Sequence, residues 1–485
     1  MHPVQSALRL PPCSLLIAGR WQSADSSFTV TDPATGQPLA QVGSATIADA
    51  EQALDAAVAA LPLWRRSTAT ERASLLMKWH ALLLEQREWL AQLLTAEQGK
   101  PLAEARAEID YAASYINWYA GEALRLAGDW QHPSVAGRTL LNIPEPVGVV
   151  LVLTPWNFPA AMITRKLGAA LAAGCPVIVK PSEYTPLTAL ALAELAQQAG
   201  FPAGVIQVLP CATPDPVAAH LIASPQVAKV SFTGSTAVGR LLMQQSAATL
   251  KRLSLELGGN APVLVFADAD LDAAVAGIMA AKFRNAGQTC VCINRVLVDS
   301  RIAKVLEQKL AAAVMALRLG VGTAADTQIG PLINQRAVDK VKQLVTDALA
   351  AGARLVCGQT LVPDIGHFVA PQLLSDVHMG MTICQQEIFG PVLTLQTFAD
   401  EQTALQLANQ TDGGLAAYLF GADEKRNYRV ANALKAGMVG INVTAISDAR
   451  IPFGGVGTAG FGREGSRYGI NDYLQLKHLC WELAD

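Results

Sequence analysis

Charged residues are scarce in this chain of 485 residues. Asp, Glu, Lys and Arg make up 16% of it and hydrophobic residues 51%, whereas about 25% charged residues is usual for a soluble domain. This composition excludes intrinsic disorder. The 37 basic and 40 acidic residues give a net charge of −3 with no block of one sign, so the field that holds a polyanion is absent. We expect no nucleic-acid partner.

Long apolar runs and paired cysteines are also lacking. The most apolar uncharged stretch, residues 146–164, is interrupted by Pro155, Asn157 and Pro159, and a membrane-spanning helix needs about 20 apolar residues. The first 21 residues show no basic start followed by a long apolar core, so we expect no secretory signal and no membrane anchor. The eight cysteines form no Cys-x-x-Cys pair, which argues against a disulfide scaffold and a zinc site. We expect a cytoplasmic protein without a bound metal.

Two alternations of strands and helices follow a helical N-terminal region. Up to about Gly99 the apolar spacing is that of helices. From residue 147 short β-rich runs alternate with segments long enough for helices, which predicts a doubly wound α/β domain with a parallel sheet. After Asn285 a second alternation predicts a second α/β domain. The predicted strands are 147–153, 176–179, 205–209, 228–232, 253–256 and 262–266 in the first domain, and 295–298, 354–357, 415–420 and 438–442 in the second.

Two glycine-containing segments are candidates for binding a phosphate. Gly455-Val456-Gly457-Thr458-Ala459-Gly460 matches the dinucleotide pattern, but no strand delivers it to a helix, so we interpret it as a flexible loop. Phe232-Thr233-Gly234-Ser235-Thr236 lies between a predicted strand and a predicted helix. There, backbone N–H groups could hold a phosphate, or Ser235 or Thr236 could simply cap the helix.

The end of another predicted strand carries Lys180, Ser182 and Glu183. A carboxylate at this position can bind a ribose diol and repels a 2′-phosphate. The alternative is a solvated loop.

Three further segments carry candidate catalytic groups. Cys290 follows a predicted helix in a polar, glycine-containing turn, Glu256 ends an apolar strand, and Asn157 ends the first strand of the sheet. Burial would raise the pKa of a carboxyl group towards that of a general base, and an amide can donate to an oxyanion. Each also has a plainer interpretation: an inert buried thiol, a solvated strand end and a proline-rich turn.

Taken together, these segments resemble the aldehyde dehydrogenase superfamily, and within it the succinate-semialdehyde dehydrogenases. The resemblance extends from Ala18-Gly19-Arg20-Trp21 to Gly462-Arg463-Glu464-Gly465. Its most specific stretches are Trp156-Asn157-Phe158-Pro159, Asn285-Ala286-Gly287-Gln288-Thr289-Cys290-Val291-Cys292 and Glu387-Ile388-Phe389-Gly390-Pro391.

The resemblance implies an architecture and a set of roles. It implies a Rossmann-like cofactor domain at residues 1–128 and 147–257, a catalytic domain at 258–447, and oligomerisation segments at 129–146 and 448–485 that form a homodimer or homotetramer. It assigns the nucleophile to Cys290, the general base to Glu256 and the oxyanion amide to Asn157. The implied cofactor contacts are Trp156, Lys180, Ser182, Glu183, Gly234, Ser235, Glu387 and Phe389. The implied contacts to a substrate carboxylate are Arg165, Arg284 and Ser447.

The expected reaction is oxidation of succinate semialdehyde to the dicarboxylic acid through a cysteine thiohemiacetal and a thioester. Glutarate semialdehyde or a broader range of aldehydes is the alternative, since a pocket discriminates one methylene only by about 10–200-fold. Glu183 points to NAD, while the adjacent Ser182 leaves NADP use open. A catalytically silent relative and an enzyme that transfers the acyl group to coenzyme A are rivals, which the presence of Glu256 disfavours.

Cys292 and the segment around Ser447 add two further expectations. Cys292, two residues after a nucleophile expected to have a low thiol pKa, is a candidate partner for a reversible disulfide with Cys290. It could equally be a packing residue. Asp448 and Arg450 are unexpected neighbours for a carboxylate pocket.

Overall fold

The computed structural model describes residues 8–358 and 362–482. Residues 1–7, 359–361 and 483–485, which the predicted domain boundaries include, lie outside the described residues. The strands are β1 Leu15–Ile17, β2 Arg20–Gln22, β3 Ser26–Thr31, β4 Pro38–Ser44, β5 Asp129–Gln131, β6 Arg138–Pro146, β7 Val149–Leu153, β8 Val177–Lys180, β9 Ile206–Val208, β10 Val227–Thr233, β11 Arg252–Glu256, β12 Ala261–Val265, β13 Ile293–Asp299, β14 Arg354–Gly358, β15 Gln372–Ser375, β16 Val392–Phe398, β17 Gly413–Gly414, β18 Ala416–Phe420, β19 Met438–Ile441, β20 Val456–Gly457, β21 Gly460–Phe461 and β22 Leu474–Glu482.

Helices lie between these strands. The α-helices are α1 Ile47–Arg66, α2 Ala69–Glu85, α3 Arg87–Gln98, α4 Leu102–Leu124, α5 Pro159–Ala173, α6 Pro186–Ala199, α7 Pro214–Ala223, α8 Thr236–Ser246, α9 Leu271–Phe283, α10 Ala303–Met315, α11 Gln335–Ala350, α12 Thr382–Gln385, α13 Glu401–Ala408, α14 Glu424–Ala433 and α15 Ser466–Gly469. Short 3₁₀ turns occupy Ala247–Thr249, Arg284–Gly287 and Ile470–Tyr473. Of the helices in the described part of the chain, none is long and apolar enough to cross a membrane.

The first sheet has the strand order β2-β1-β9-β8-β7-β10-β11-β21. Its five central strands are parallel, and β1, β2 and β21 join antiparallel at the two edges. Alternate residues of β7 enter different cores: Val150 and Val152 pack in one, Val149 and Leu151 in the other. Both faces of the sheet are therefore covered, as the continuous apolar run of this strand requires.

The second sheet has the order β14-β15-β16-β13-β12-β18-β19, with only β14 antiparallel. It contains β12, so the predicted strand 262–266 belongs to this sheet and not to the first. The chain passes from one sheet to the other between β11 and β12, over the four residues 257–260. Such a short connection carries no composition signal that marks a change of domain.

The N-terminal region differs from the prediction of a purely helical pattern. Strands β1 to β4 precede the first helix, which begins at Ile47. These strands are antiparallel and lie at a sheet edge or in a separate hairpin. Strand β3 alternates, with Phe28 and Val30 packed on the core and Thr29 and Thr31 exposed. This two-residue period is a strand signal that the helical interpretation missed.

A third sheet, ordered β22-β6-β5, projects its side chains largely into solvent. Strands β22 and β6 pair over nine residues, from Leu474 opposite Pro146 to Glu482 opposite Arg138. This sheet brings together parts of the two segments predicted for oligomerisation. The domain boundaries themselves stay a prediction.

Candidate active site

A cavity of about 580 Å³ opens beside the carboxyl ends of the central strands of the first sheet and is closed on its other side by residues from the second alternation. Carboxyl ends of parallel strands are where α/β sheets bind ligands. Eight predicted site residues line this cavity: Trp156, Asn157, Gly234, Ser235, Glu256, Cys290, Glu387 and Phe389.

The turn that precedes Cys290 has an unusual backbone. Asn285, Ala286 and Gly287 have φ angles of 51°, 54° and 78°, a region that residues with a side chain rarely adopt. A Cβ atom on Gly287 would lie 2.3 Å from the carbonyl oxygen of Gly390. The turn therefore requires glycine at position 287. It places Cys290 in the lining of the cavity, just before β13 begins.

The thiol of Cys290 is partly buried and free. Burial raises its pKa to about 12, although Arg165 and Arg284 favour the thiolate. The expectation of a low thiol pKa is therefore not met in this structure, because desolvation outweighs the two guanidiniums. Reaction at Cys290 needs an acceptor for the thiol proton.

Glu256 lies at the end of β11 and is 3% exposed. Neither of its carboxylate oxygens has a hydrogen-bond partner among the described residues. Burial, and then the charge of Glu464, raises its pKa well above the usual value. Of the two interpretations of Glu256, the structure places it in a cleft and not at a solvated strand end.

Asn157 follows β7 and is buried. Its Nδ2 donates to the carbonyl oxygen of Gln288 at 3.0 Å, and its Oδ1 accepts from the backbone N–H of Phe158 at 3.1 Å. The second N–H of Nδ2 has no partner within residues 8–358 and 362–482, and the same holds for the backbone N–H of Cys290. Two donors are thus left for an oxygen beside Cys290.

The end of β10 leads into α8 across Gly234 and Ser235. Ser235 Oγ caps the helix by accepting from Val238 N–H at 3.3 Å, and Gly234 and Ser235 both line the cavity. The two interpretations of this segment are therefore compatible. The helix N-terminus, with its unpaired N–H groups, adjoins the cavity and suits a pyrophosphate.

Two aromatic rings and a carboxylate line another part of the cavity. Trp156 and Phe389 meet edge to face with ring centres 5.5 Å apart. Glu387 has an unpartnered buried Oε1, and burial raises its pKa to about 7. An orphaned acceptor beside apolar rings fits a ligand with both hydroxyl groups and planar rings, as a dinucleotide has.

Lys180, Ser182 and Glu183 lie outside the cavity lining: Lys180 ends the neighbouring strand β8, and the other two residues follow it. Lys180 Nζ is 3.9 Å from Glu183 Oε2, and Ser182 Oγ donates to the same oxygen at 3.5 Å. The segment is a turn that leads into α6. Its carboxylate is one-third exposed and available to a ligand.

The glycine pattern at residues 455–460 does not open a helix. It forms β20, a turn and β21, and β21 pairs with β11 next to Glu256. As predicted, these glycines are not delivered to a helix N-terminus, but short paired strands stand where a flexible loop was expected.

The three residues predicted to bind a substrate carboxylate differ in their surroundings. Arg165 is buried, with Nε 2.7 Å from Glu464 Oε2, whereas its Nη2 has no hydrogen-bond partner among the described residues. Arg284 is exposed and, within the described part of the chain, has no ion pair or hydrogen bond; its guanidinium lies 5.2 Å from the ring centre of Phe158. Ser447 is half-buried in the irregular segment after β19.

Asp448 and Arg450 neutralise each other. Arg450 Nη2 donates to Asp448 Oδ2 at 2.8 Å, and the arginine is largely exposed. The two unexpected charges therefore form a local surface pair.

Sequence reasoning missed a group of buried charges behind the cavity. Glu464 forms ion pairs with Arg165 and with Lys166, and Lys166 Nζ donates to Thr233 Oγ1 at 2.6 Å. Lys100 forms a buried pair with Glu108. These partners are separated by up to 298 residues in the chain, so no local pattern could have revealed the longest of these pairs.

Cys292 is buried, and its sulfur faces the carbonyl oxygen of Lys282 at 3.5 Å. Its thiol does not line the cavity that Cys290 lines. This placement favours a packing role, and the disulfide switch stays a prediction.

Cys290, Glu256 and Asn157 thus line one cavity. Comparison with known sequences points to the same family as the motifs that contain these residues. The sequence model of the aldehyde dehydrogenase family matches residues 21–479. The chain belongs to this family and is an oxidoreductase. The family uses NAD(P)⁺.

Particular relatives are similar over nearly the whole chain. A 3-sulfolactaldehyde dehydrogenase of Pseudomonas putida is 50% identical over 96% of this chain and 96% of its own. A relative named succinate-semialdehyde dehydrogenase [NADP(+)], from Escherichia coli (strain K12), is 50% identical over 96% of this chain and 97% of its own. The crystal structure of succinate-semialdehyde dehydrogenase from Burkholderia pseudomallei, 51% identical, covers 99% of both chains with a TM-score of 0.95. The predicted family and the predicted α/β fold class are thereby confirmed.

Proposed function

We propose that this protein oxidises a short aldehyde with a terminal anionic group, succinate semialdehyde foremost, to the dicarboxylic acid with NAD(P)⁺. The observation that carries the proposal is Arg284, an exposed guanidinium without a partner in the described part of the chain, on the turn that leads to Cys290. A guanidinium pairs with a carboxylate through two parallel hydrogen bonds. The substrates in the names of the two relatives above both carry a terminal anion.

Arg165 and Ser447 complete the proposed carboxylate site. Arg165 forms an ion pair with Glu464, which fixes its guanidinium, and its buried Nη2 has no hydrogen-bond partner among the described residues. A preorganised arginine loses less conformational entropy on binding than a mobile one. Ser447 supplies a hydroxyl group from the irregular segment after β19.

The proposed chemistry begins at Cys290. Its sulfur adds to the aldehyde carbon, the thiol proton is released to solvent, and the aldehyde oxygen becomes an oxyanion. The Nδ2 N–H of Asn157 and the backbone N–H of Cys290 stabilise that oxyanion, a contact whose removal costs about 10²–10³ in rate. The tetrahedral carbon then loses hydride and becomes a thioester. Glu256 next takes a proton from the water that hydrolyses the thioester.

The cofactor, when bound, supplies the acceptor for that hydride. Gly234 and Ser235 at the N-terminus of α8 would hold its pyrophosphate, and Trp156, Glu387 and Phe389 would surround the remainder in the cavity. Lys180, Ser182 and Glu183 would contact the adenosine ribose. We propose NAD as the preferred form, because the Glu183 carboxylate repels a 2′-phosphate; NADP use remains open through Ser182, and one relative is named for it.

A second substrate class is favoured by one comparison. The 50% identical relative named for 3-sulfolactaldehyde points to an aldehyde that ends in a sulfonate, which an arginine pair also binds. Glutarate semialdehyde, one methylene longer than succinate semialdehyde, is a further candidate, since one methylene is discriminated by only about 10–200-fold.

The proposed assembly is a homodimer or homotetramer that forms through the sheet β22-β6-β5. The proposed units are a cofactor domain at residues 1–128 and 147–257 and a catalytic domain at 258–447; the passage from β11 to β12 supports the boundary at 257. The proposed location is the reducing cytoplasm, which the eight free cysteines support.

A steady-state comparison of aldehydes with NAD⁺ and NADP⁺ tests the proposed function. Succinate semialdehyde, glutarate semialdehyde, a sulfonate aldehyde and butyraldehyde differ in length and in terminal charge. We expect the anionic aldehydes to have the higher kcat/KM and a free acid as the product. Acyl-coenzyme A as the preferred product, or highest efficiency with butyraldehyde, would contradict the proposal.

The variant Arg284→Ala makes the same test at one residue. We expect kcat/KM for succinate semialdehyde to fall by about 10–100-fold, since hydrogen bonds between charged groups contribute about 1.5–3 kcal/mol. Turnover of butyraldehyde should change little. Arg301→Ala, which removes a surface arginine whose ion pair is with Asp299, is the matched control. Equal losses on both aldehydes would show that Arg284 has a structural role.

A further inference from the structure

Lys100 is a fully buried lysine in the connection between α3 and α4. Its Nζ lies 2.5 Å from Glu108 Oε2 and donates to the backbone carbonyl oxygen of Asn157 at 2.8 Å. It also lies 3.8 Å from the ring centre of Phe158. Both partners of the ion pair have no exposed side-chain surface. The ammonium therefore contacts the residue to which the oxyanion amide is assigned.

Glu108 extends the same contact to the other side of Asn157. Its Oε1 accepts from the backbone N–H groups of Ala160 and Ala161 at 2.9 and 3.3 Å, in the first turn of α5. One ion pair thus holds the carbonyl group of Asn157 and the start of the helix that follows it. The backbone is fixed on both sides of the peptide between Asn157 and Phe158.

A second donor on the Asn157 carbonyl connects this network to the nucleophile turn. Asn285 Nδ2 donates to it at 2.9 Å, and Gln98 Nε2 donates to Asn285 Oδ1 at 3.0 Å. The Gln98 Oε1 in turn accepts from the backbone N–H of Lys100 at 3.1 Å. The α3–α4 connection therefore fixes the backbone of Asn157 and the turn before Cys290 relative to each other.

Stability alone does not explain a buried pair of this kind. Removing two charges from water costs several kcal/mol per ion, and apolar replacements of such pairs are often as stable or more stable. Burial also lowers the pKa of Lys100, which is the expected sign of that cost. The position of the pair gives a better explanation, because both of its members bind the backbone at or next to Asn157.

We propose that Lys100 is a positioning residue for the reaction: it holds the Asn157 carbonyl so that the free N–H of the Asn157 side chain faces the oxygen of the substrate bound to Cys290. The inference rests on the proposed function of Cys290 and Asn157. A displacement of about 1 Å in a group of this kind costs about 10²-fold in rate. Loss of Lys100 should therefore weaken oxyanion stabilisation without removing any group that touches the substrate.

Binding of a trifluoromethyl ketone that carries a carboxylate measures oxyanion stabilisation separately from turnover. The Cys290 sulfur adds to its carbonyl carbon, the C=O π bond becomes an oxyanion, and the thiol proton leaves. The carbon carries no hydrogen, so no hydride is lost and no oxidant is needed. Fluorine NMR of the ketone titrated into the full-length protein measures the dissociation constant of this adduct directly.

The test compares two variants with wild type. Lys100→Met combined with Glu108→Gln avoids an orphaned carboxylate and keeps an acceptor for Ala160 and Ala161; we expect it to bind the ketone about 10- to 100-fold more weakly. Lys100→Arg keeps a cationic donor and should retain more of the affinity. Lys229→Met is the matched control, because Lys229 is equally buried but contacts Ser254 and Tyr473; its ketone affinity should match wild type.

Two further measurements separate positioning from misfolding. Alkylation of Cys290 by iodoacetamide forms no oxyanion, so its rate should be unchanged in the double variant, as should the melting temperature within a few degrees. Ketone affinity equal to wild type in the double variant would overturn the inference while leaving the proposed function intact. A wild-type protein that forms no adduct would overturn the proposed role of Cys290, and the inference with it.

Discussion

Glu256 and Glu464 are two buried carboxyl groups whose surroundings move their pKa values in opposite directions. Burial and the charge of Glu464 raise the pKa of Glu256. Burial also opposes the ionisation of Glu464, but Lys166 and Arg165 lower its pKa below the usual value. The surroundings therefore favour the ionised form of Glu464 and the neutral form of Glu256. Such a separation is typical of sites with assigned acid and base roles.

The first residue-scale prediction is that Glu256→Gln blocks deacylation more than acylation. Gln cannot accept a proton from water, so steady-state turnover should fall by about 10²–10⁴-fold, while a single burst of NADH survives in stopped-flow measurements. Because the pKa of Glu256 is raised, wild-type turnover should increase as the pH rises and the base form accumulates. The variant should lose that dependence.

Glu424→Gln is a matched control for this variant, since Glu424 lies on the surface in the first turn of α14. Its burst and its steady-state rate should equal those of wild type. If burst and steady state fall together in Glu256→Gln, Glu256 is not mainly the base for hydrolysis.

The second residue-scale prediction concerns the choice between NAD and NADP. Glu183→Ser removes a charge and frees Lys180, its partner at 3.9 Å, to pair with a 2′-phosphate. One unit charge at about 4 Å contributes about 1–4 kcal/mol, so the NADP/NAD ratio of kcat/KM should rise at least about fivefold. Tyr184→Phe, a change of the next side chain without a change of charge, should leave the ratio unaltered. An unchanged ratio in Glu183→Ser would place cofactor preference elsewhere.

At the scale of single elements, local sequence predicts strands and helices best where apolar runs meet turn residues. The predicted strand 228–232 corresponds to β10, Val227–Thr233, because a buried apolar run ends at Gly234 and Ser235. The interior strand β16, Val392–Phe398, is absent from the predicted strands, although it has as many apolar residues as β10. The strand before it, β15, has only four residues, Gln372–Ser375, and the helix between them, Thr382–Gln385, is equally short. This part of the chain therefore shows no clear alternation of strand and helix patterns.

The residues of the candidate site also fall into those that local sequence predicts and those that it does not. Cys290, Glu256 and Asn157 lie in contiguous motifs and could be predicted from the sequence. Lys100 and Glu464 could not, because a lone charge in a sequence indicates a solvated side chain unless its partner is known. Their partners come from distant segments that only the packing of the two sheets brings together.

The prediction at the scale of an element is that Gly287→Ala distorts the nucleophile turn. The left-handed φ of 78° costs about 1–2 kcal/mol for alanine, and the new Cβ would also meet the Gly390 carbonyl oxygen at 2.3 Å. We expect unfolding free energy to fall by more than the φ cost alone, together with slower alkylation of Cys290. Gly352→Ala is the control, since its φ is 102° but no atom of the described residues lies within 4 Å of the added Cβ. Equal destabilisation in both variants would mean that the turn tolerates a side chain.

At the scale of the whole molecule, the candidate site belongs to neither sheet alone. Glu256 ends strand β11 and Asn157 follows strand β7, both in the first sheet, whereas Cys290 precedes β13 of the second. The cavity lies where these ends meet. The buried network of Lys100 and Asn285 crosses the same boundary. Contacts that fix the two sheets relative to each other therefore act directly on the distance between nucleophile, base and oxyanion donors.

The third sheet contributes nothing to that cavity and leaves large apolar side chains in solvent. Leu476 on β22 is 74% exposed and Trp130 on β5 is 57% exposed. Strand β22 is also an edge strand of nine residues, with unpaired backbone groups along one side. A long, partly apolar edge is a template for pairing with a second chain. We therefore expect the oligomer contact at this sheet.

The prediction at this scale is that Leu476→Glu weakens assembly. Placing a charge in an apolar contact leaves it desolvated and unpaired, which costs several kcal/mol, so the mass measured by light scattering should shift towards a smaller species at micromolar concentration. Leu63→Glu is the matched control, because Leu63 is 71% exposed on α1, and its mass should equal that of wild type. An unchanged mass for Leu476→Glu would place the contact between copies on another surface. If the smaller species keeps its thermal stability and its adduct with the trifluoromethyl ketone, the cavity is complete within one chain, since every residue assigned to it here lies outside the third sheet.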